Sequence, residues 1–218
     1  MKKVGFYLLW AIVAVLAINL VLIAASYMTF DPNHKFLNLK QHLIGNPIYK
    51  GNFYVHLAFG IVAVITGFAL FFDKLIRFSS KRHKQFGKLY IISILLLTGP
   101  TGLYLSFFAE GGAVASVGFL LMSSIWMLLT YIPFSKILKG DIQGHYKWMI
   151  RSYCFTLSGI TLRIMTPLFV YWFGIDTETT FMLTAYLPWI FNLLLGEVII
   201  YFNQHQIKNV NQLLKRAR

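Results

Sequence analysis

The sequence predicts an all-α integral membrane protein, a bundle of six transmembrane helices with cytoplasmic N- and C-termini. The chain is 57% hydrophobic and only 12% charged, with a mean hydropathy of +0.64. Six apolar stretches alternate with loops that are in turn basic and nearly free of basic residues. This composition is far more apolar than that of a soluble domain. No soluble domain is left over, so residues 1–218 are expected to form a single membrane domain.

The expected spans each have about 20 residues or more, enough to cross a hydrocarbon core of roughly 30 Å. The first follows two lysines, as a signal peptide would, but its apolar stretch exceeds the usual core of about 7–15 residues. The connection over residues 29–52 is expected to form at most a short surface helix. The six spans cover about 4–28, 53–72, 88–108, 113–134, 148–173 and 180–202.

The basic residues predict the orientation. Of the 20 Lys and Arg residues, 16 fall on the side that carries the termini, among them Lys74, Arg77 and Lys208. Three lysines fall in the 29–52 connection and Arg163 lies within the fifth span. Cytoplasmic loops carry such an excess of Lys and Arg. The net charge of +13 therefore indicates basic loops on anionic lipid, and nucleic acid is not an expected partner.

The fifth span carries a polar stripe that ends in an arginine. Its members recur at steps of three and four, which places them on one helical face. A charge at this depth must face the bundle interior or a wet cavity. We therefore expect a polar cavity in which Arg163 attracts an anionic group; alternatively, Arg163 snorkels or caps a neighbouring helix end. The stripe comprises His145, Met149, Ser152, Thr156, Gly159, Arg163 and Thr166.

Depth along the helices predicts which polar residues meet. At about 1.5 Å rise per residue, His56 near the non-cytoplasmic edge of the second span lies at a level close to that of Arg163. Glu197, on the cytoplasmic side of the sixth span, matches Arg151 in depth. We therefore expect His56 beside the cavity and a Glu197–Arg151 ion pair, because an unpaired carboxylate is costly in a membrane.

Two further histidines, His83 and His145, lie at cytoplasmic helix ends among lysines. They are candidates to bind a metal or haem b together, or else they only form hydrogen bonds at the interface. The single cysteine, Cys154, lies in an apolar run and is expected to be a small buried side chain.

The sequence contains no HExxH, P-loop, GxSxG or paired intramembrane aspartates, so no enzymatic activity is predicted. Helix interruptions are expected at residues 99–102, around Pro167 and at Pro188.

Four motifs stand out between the second and the last span: His56-x-x-x-Gly60, Arg82-His83-x-x-Gly87-Lys88-x-Tyr90, Gly102 to Gly112, and Gly140-Asp-x-x-x-His145-x-x-Trp148-Met-Ile-Arg151-Ser-Tyr153 followed by Arg163. Together they resemble a bacterial family of membrane proteins known as domain of unknown function 2306. The resemblance extends over about residues 52–197 and implies a multi-pass protein of the bacterial cytoplasmic membrane, without implying an activity.

Three functions remain open at this point. The polar cavity binds or moves a small ligand; or the histidines hold a b-type haem in an electron carrier; or the protein is a structural or assembly partner of another membrane complex.

Overall fold

The computed structural model describes residues 2–71 and 80–202, and all regular structure in these ranges is helical. The all-α prediction is therefore confirmed. Lys74, Arg77 and Lys208, which the orientation argument counts, lie outside the described residues. The long helices are α1 (Lys2–Ser26), α2 (Pro47–Leu70), α3 (Lys81–Ser106), α4 (Gly112–Leu138), α5 (Ile142–Trp172) and α6 (Thr177–Phe202).

Five helices, α2 to α6, are long and apolar enough to cross a membrane, with 24 to 31 residues and hydropathies of 1.3 to 2.1. Near the N-terminus, the apolar helical stretch Ala14–Thr29 is shorter than the 18 residues required of a candidate span. Large apolar side chains point outwards, for example Leu96 with 67% and Leu194 with 61% of their surface exposed. An exterior of this kind fits a bundle whose outer solvent is hydrocarbon.

The connection between α1 and α2 is more ordered than the sequence predicts. Its two short helical segments, Lys35–Lys40 and Gln41–Ile44, lie against one end of the bundle, which we name the capped end. Lys40 is buried there, forms an ion pair of 2.5 Å with Glu110, and donates to the carbonyl oxygen of Phe108. This cap thus joins the α1–α2 connection to the α3–α4 connection.

Helix α2 begins at Pro47, six residues before the predicted start of its span. The side chain of Asn46 accepts the backbone N–H groups of Ile48 and Tyr49, at 2.9 and 3.4 Å. Proline in the first turn has no N–H that needs a partner. The pair Asn46-Pro47 therefore starts the helix outside its apolar core. The predicted end of this span, Phe72, lies outside the described residues.

Three of the long helices are irregular. In α3 a π-helical turn over Ser93–Thr98 precedes Gly99 and Pro100, and the N–H of Gly99 donates to the carbonyl of Ile94, five residues back. A second π-helical turn, Leu168–Trp172, follows Pro167 in α5. Helix α6 is interrupted between Thr184 and Leu187, just before Pro188. Helix α5 is also interrupted at Leu157, which the sequence reasoning did not anticipate.

Glycines let the helices pack closely around an aromatic core. A Cβ on Gly67 of α2 would lie 2.5 Å from Tyr153 Cε2 and 2.9 Å from Tyr90 Cε2. A Cβ on Gly118 of α4 would lie 2.7 Å from the Cβ of Ala185. No such side chain fits without a shift, so these contacts fix α2 against α3 and α5, and α4 against α6.

The α5 N-terminus is capped by Asp141. Its carboxylate accepts the N–H of Gly144 at 2.8 Å and pairs with Lys136 at 3.1 Å. These interactions, the hydrogen bond first, lower the pKa of the Asp141 carboxyl. The turn between α4 and α5 is thereby tied together by its own side chains.

Candidate functional site

A cavity of about 130 Å³ lies between α1, α2, α3, α4 and α5. It brings a charged residue together with apolar walls. Among the described residues, no acidic side chain lines it. The apolar walls come from Leu20, Ala24, Leu57, Ile61, Val64, Met122 and Phe155, and the polar lining from His56, Thr98, Trp126, Thr156 and Arg163, with Gly60 and Gly159 between them.

Arg163 supplies the charge of the cavity. Its Nη1 donates to the carbonyl oxygen of Gly159, one turn back in α5, at 3.0 Å. A guanidinium has five N–H donors, and no described residue accepts the other four. The guanidinium is partly buried and has no carboxylate within ion-pair distance in the described part of the chain. It therefore has both charge and donors to offer a ligand.

His56 enters the cavity from α2. Its Nδ1 lies 2.9 Å from the carbonyl oxygen of Thr98, at the end of the π-helical turn of α3. Since a carbonyl only accepts, Nδ1 carries the proton, and Nε2 of the neutral ring is an acceptor. Gly102 leaves the room for this ring, because a Cβ there would lie 3.1 Å from His56 Cε1. The hydroxyl of Thr98 itself is fully buried, without a partner among the described residues.

Beneath the cavity, five buried side chains form a hydrogen-bonded layer that we name the polar floor: Tyr90, Trp126, Thr130, Ser152 and Thr156. The hydroxyl of Tyr90 lies 2.8 Å from Thr156 Oγ1 and 2.9 Å from Ser152 Oγ. Trp126 Nε1 donates to Thr156 Oγ1 at 2.9 Å, and Thr130 Oγ1 lies 2.9 Å from Ser152 Oγ. The floor thus links α3, α4 and α5.

In each of these hydrogen bonds, the chemistry of the two groups determines which one donates and which one accepts. Thr156 donates its one proton to the carbonyl oxygen of Ser152, at 2.9 Å, and accepts from Trp126, which can only donate. Tyr90 must then donate to Thr156, Ser152 to Tyr90, and Thr130 to Ser152. Thr156 consequently uses its proton and both acceptor positions within the protein. It closes the bottom of the cavity and has no capacity left for a ligand.

The residues predicted for the cavity separate into three groups in the structure. Arg163 and His56 line one cavity together, with Thr156 at its floor. Ser152 is fully buried below them and does not line the cavity. Arg151 and Glu197 lie elsewhere.

The ion pair predicted between Arg151 and Glu197 is present. Arg151 Nε and Nη2 donate to the two carboxylate oxygens of Glu197, at 2.5 and 2.9 Å. The guanidinium also stacks over the ring of Trp148, 4.6 Å from its centroid. Cys154 is buried nearby, as expected, against the backbone of Gly196. This bidentate pair joins α5 to α6 at a distance from the cavity lining.

The other two candidate histidines do not line the cavity. His145 Nδ1 donates to the carbonyl oxygen of Pro133 at 2.8 Å, which leaves Nε2 as the nitrogen able to ligate. His83 Nδ1 is buried without a partner in the described part of the chain. Within the described residues no three His, Cys, Asp or Glu side chains are grouped as a metal site would need.

Sequence reasoning missed Trp126 and Thr130 and gave Tyr90 no role. One signal was available: Trp126 and Thr130 are four residues apart on α4, as are Ser152 and Thr156 on α5. Residues spaced by four share a face, so two facing polar pairs were readable. Because tryptophan is usually classed as apolar, the donor capacity of the Trp126 ring N–H was overlooked.

Comparison with known protein families identifies a membrane protein family. A family model described as a predicted membrane protein (DUF2306) matches residues 53–200, more than half of the chain and nearly all of α2 to α6. No curated protein and no solved structure matches the chain. The matched region contains His56, Arg163 and the whole polar floor. The resemblance seen in the motifs is confirmed, and the chain belongs to the DUF2306 family of membrane proteins.

Proposed function

We propose that this protein is a six-span membrane protein of the bacterial cytoplasmic membrane that binds or moves a small ligand bearing an anionic group. The ligand occupies the cavity that is lined by helices α1 to α5, and the guanidinium of Arg163 binds its anionic group. One observation carries this proposal: a guanidinium lines an apolar cavity and has no carboxylate partner among the described residues.

The physical argument concerns the cost of an unpaired charge. Ionised side chains inside a membrane almost always pair or face water, because the hydrocarbon does not solvate them. The second arginine of α5, Arg151, follows this rule through Glu197. Arg163 does not follow this rule. Among the described residues its side chain forms one hydrogen bond, to the carbonyl oxygen of Gly159. An anion in the cavity would accept two parallel N–H bonds from the guanidinium and complete the pair.

His56 supports the same function. Its bond to Thr98 fixes the ring and leaves Nε2 as an acceptor. With a proton on Nε2 the ring becomes a second donor to the anion of the ligand. The cavity therefore offers donors on the α5 wall and a titratable nitrogen on the α2 wall.

The orientation with cytoplasmic termini rests on the distribution of basic residues. Lys81, Lys84 and Lys88 at the start of α3, and Lys136 and Lys139 at the end of α4, belong to the end of the bundle opposite the cap. At the capped end, Lys40 is buried in its ion pair with Glu110. Its charge is thereby neutralised locally, which increases the contrast between the two ends.

Thermal unfolding of the detergent-purified protein with added acetate, phosphate or formate tests the proposal, with chloride at equal ionic strength as reference. A ligand at about 100 times its Kd stabilises a folded protein by about 2.7 kcal/mol, which raises the Tm measurably. We expect at least one anion to raise the Tm of the wild type, and Arg163→Gln to lose that rise.

Lys147→Gln is the matched control, because it removes a positive charge from the same helix at a residue that does not line the cavity. It should keep the anion-dependent rise. An equal rise in Arg163→Gln, or no rise with any anion in the wild type, contradicts the proposal. The second outcome, together with subunits that co-purify with the protein, would favour a role as an assembly partner.

A second candidate function is a b-type haem electron carrier. It is favoured by the buried, unpartnered Nδ1 of His83 and by the fixed ring of His145. An absorption spectrum of the purified protein, oxidised and then reduced with dithionite, tests it. A Soret band and a sharp reduced α-band that disappear in His83→Ala and His145→Ala support it, whereas a colourless protein contradicts it.

A further inference from the structure

The polar lining of the cavity restricts the chemistry of its ligand. Arg163, His56 and the unpartnered hydroxyl of Thr98 provide the groups with free capacity, whereas Thr156 and Trp126 are committed to the polar floor. A buried polar group without a partner is costly. A sugar or polyol would bring several hydroxyls against apolar walls, and an amino acid would bring an ammonium group into a cavity that no carboxylate lines. The fitting ligand has one anionic end and an otherwise apolar body.

The volume restricts the size of that body. The cavity has about 130 Å³, and an apolar cavity of roughly 150 Å³ in another protein takes up benzene. Leu20, Leu57 and Ile61, which are only partly buried, form walls that suit a flat apolar ring. The part of the ligand that this space holds is therefore about the size of one six-membered ring, and an ion as small as formate leaves most of the space empty.

Two glycines keep this space open. A Cβ on Gly60 would have Thr98 Cγ2 as its nearest neighbour, at 3.9 Å, and a Cβ on Gly159 would lie 3.7 Å from Arg163 Nη1. Neither contact is a clash, so packing against the protein does not require glycine at these positions. The missing side chains are instead space within the cavity, on the α2 wall and beside the guanidinium.

We propose that the ligand is a flat six-membered-ring carboxylate of the benzoate type, an inference that rests on the proposed function. Its carboxylate accepts from the guanidinium of Arg163. Its ring packs against Leu20, Leu57 and Ile61 in the space left by Gly60. The charge of Arg163 selects the anion over neutral ring compounds, because only an anion completes the missing ion pair.

Equilibrium binding to the purified full-length protein tests this, with benzoate, acetate, benzamide and toluene as probes. One added methylene in an apolar pocket changes affinity by roughly tenfold or more. We therefore expect the Kd of benzoate to be at least about tenfold lower than that of acetate. Benzamide keeps the ring and the carbonyl group but has no charge, and toluene keeps only the ring. Both should bind at least about tenfold more weakly than benzoate.

Gly60→Ala should raise the Kd of benzoate at least about tenfold while the Kd of acetate changes little, because the methyl group occupies the space of the ring. The variant should fold, since alanine favours a helix and meets no clash at this position. Gly51→Ala is the matched control on the same helix. A Cβ there has no neighbour within 4 Å, and Gly51 does not line the cavity.

The outcomes separate the two proposals. If acetate and benzoate bind equally, and both depend on Arg163, the proposed function stands and the ring is wrong. If benzamide or toluene binds as tightly as benzoate, the anionic end is wrong. If no probe binds in an Arg163-dependent manner, both proposals are overturned. An unchanged benzoate Kd in Gly60→Ala overturns the assignment of the ring to this cavity.

Discussion

The polar floor makes a quantitative prediction about Tyr90. Substituting Tyr90→Phe removes a single hydroxyl and keeps the ring that packs against Gly67. Two hydrogen bonds are lost, the one donated to Thr156 at 2.8 Å and the one accepted from Ser152 at 2.9 Å. The substitution therefore tests the hydrogen bonds separately from the packing.

The expected loss follows from measured values for such bonds. Side-chain hydrogen bonds inside membrane proteins contribute about 0.6 kcal/mol on average and up to about 1.7 kcal/mol. Two bonds therefore give a decrease of about 1–3 kcal/mol in the free energy of unfolding. The upper part of this range is favoured because Tyr90, Ser152 and Thr156 are all buried, so no water replaces the lost partner.

Unfolding by sodium dodecyl sulfate in mixed micelles, followed by circular dichroism, measures this difference. Tyr131→Phe is the control, since Tyr131 is 54% exposed on α4 and should change stability by less than about 0.5 kcal/mol. A double-mutant cycle of Tyr90→Phe with Thr156→Val should give a coupling above about 0.5 kcal/mol. Equal losses in the two tyrosine variants, with zero coupling to Thr156, would refute the proposed bonding.

Two further predictions concern the helix contacts. Gly67→Ala should lower the free energy of unfolding by about 1–3 kcal/mol, because the new methyl group overlaps the Tyr153 ring and the core is overpacked. Arg151→Glu and Glu197→Arg should each be destabilising alone, and the charge-swapped double variant should recover part of the loss. The recovery should be about 0.6–1.7 kcal/mol, the range for side-chain hydrogen bonds inside membrane proteins, because the swapped side chains restore only part of the two-bond contact. The same unfolding assay measures both.

Each of these has an outcome that would contradict it. Gly51→Ala introduces the same methyl group with no neighbour within 4 Å, so Gly67→Ala with equal stability would show that the close contact at Gly67 is wrong. A charge-swapped variant less stable than both single variants would show that Arg151 and Glu197 do not pair.

The fold class could be predicted from sequence because it depends on local composition. Apolar stretches of sufficient length identify the spans wherever they occur. The helix ends could not be predicted as well, because hydropathy does not report capping. Helix α2 starts at Pro47 because of Asn46, and α3 starts at Lys81, in a basic turn that hydropathy assigns to a loop.

The sequence predicted how deep the site residues lie along their helices. It did not predict the direction in which each side chain points around its helix. Rise per residue was enough to place His56 and Arg163 at similar levels, and both line the cavity. The spacing of the polar stripe gave Ser152 to the cavity, whereas its hydroxyl bonds to Thr130 and Tyr90. A stripe on one helix faces two neighbours at once. Which neighbour each residue meets depends on the packing of the helices around this stripe, and the interruption of α5 at Leu157 has no glycine or proline beside it to signal it.

The cap described above determines whether the chain crosses the bilayer an even or an odd number of times between two of its connections. Lys40 and Glu110 belong to different connections, and their side chains touch. Two connections that touch must emerge on the same face of the bilayer, so the chain between them crosses an even number of times. Helices α2 and α3 are the two crossings that this requires. During insertion the pair can form only after α3 has returned to that face, so its closure marks the first hairpin of the bundle as correctly threaded.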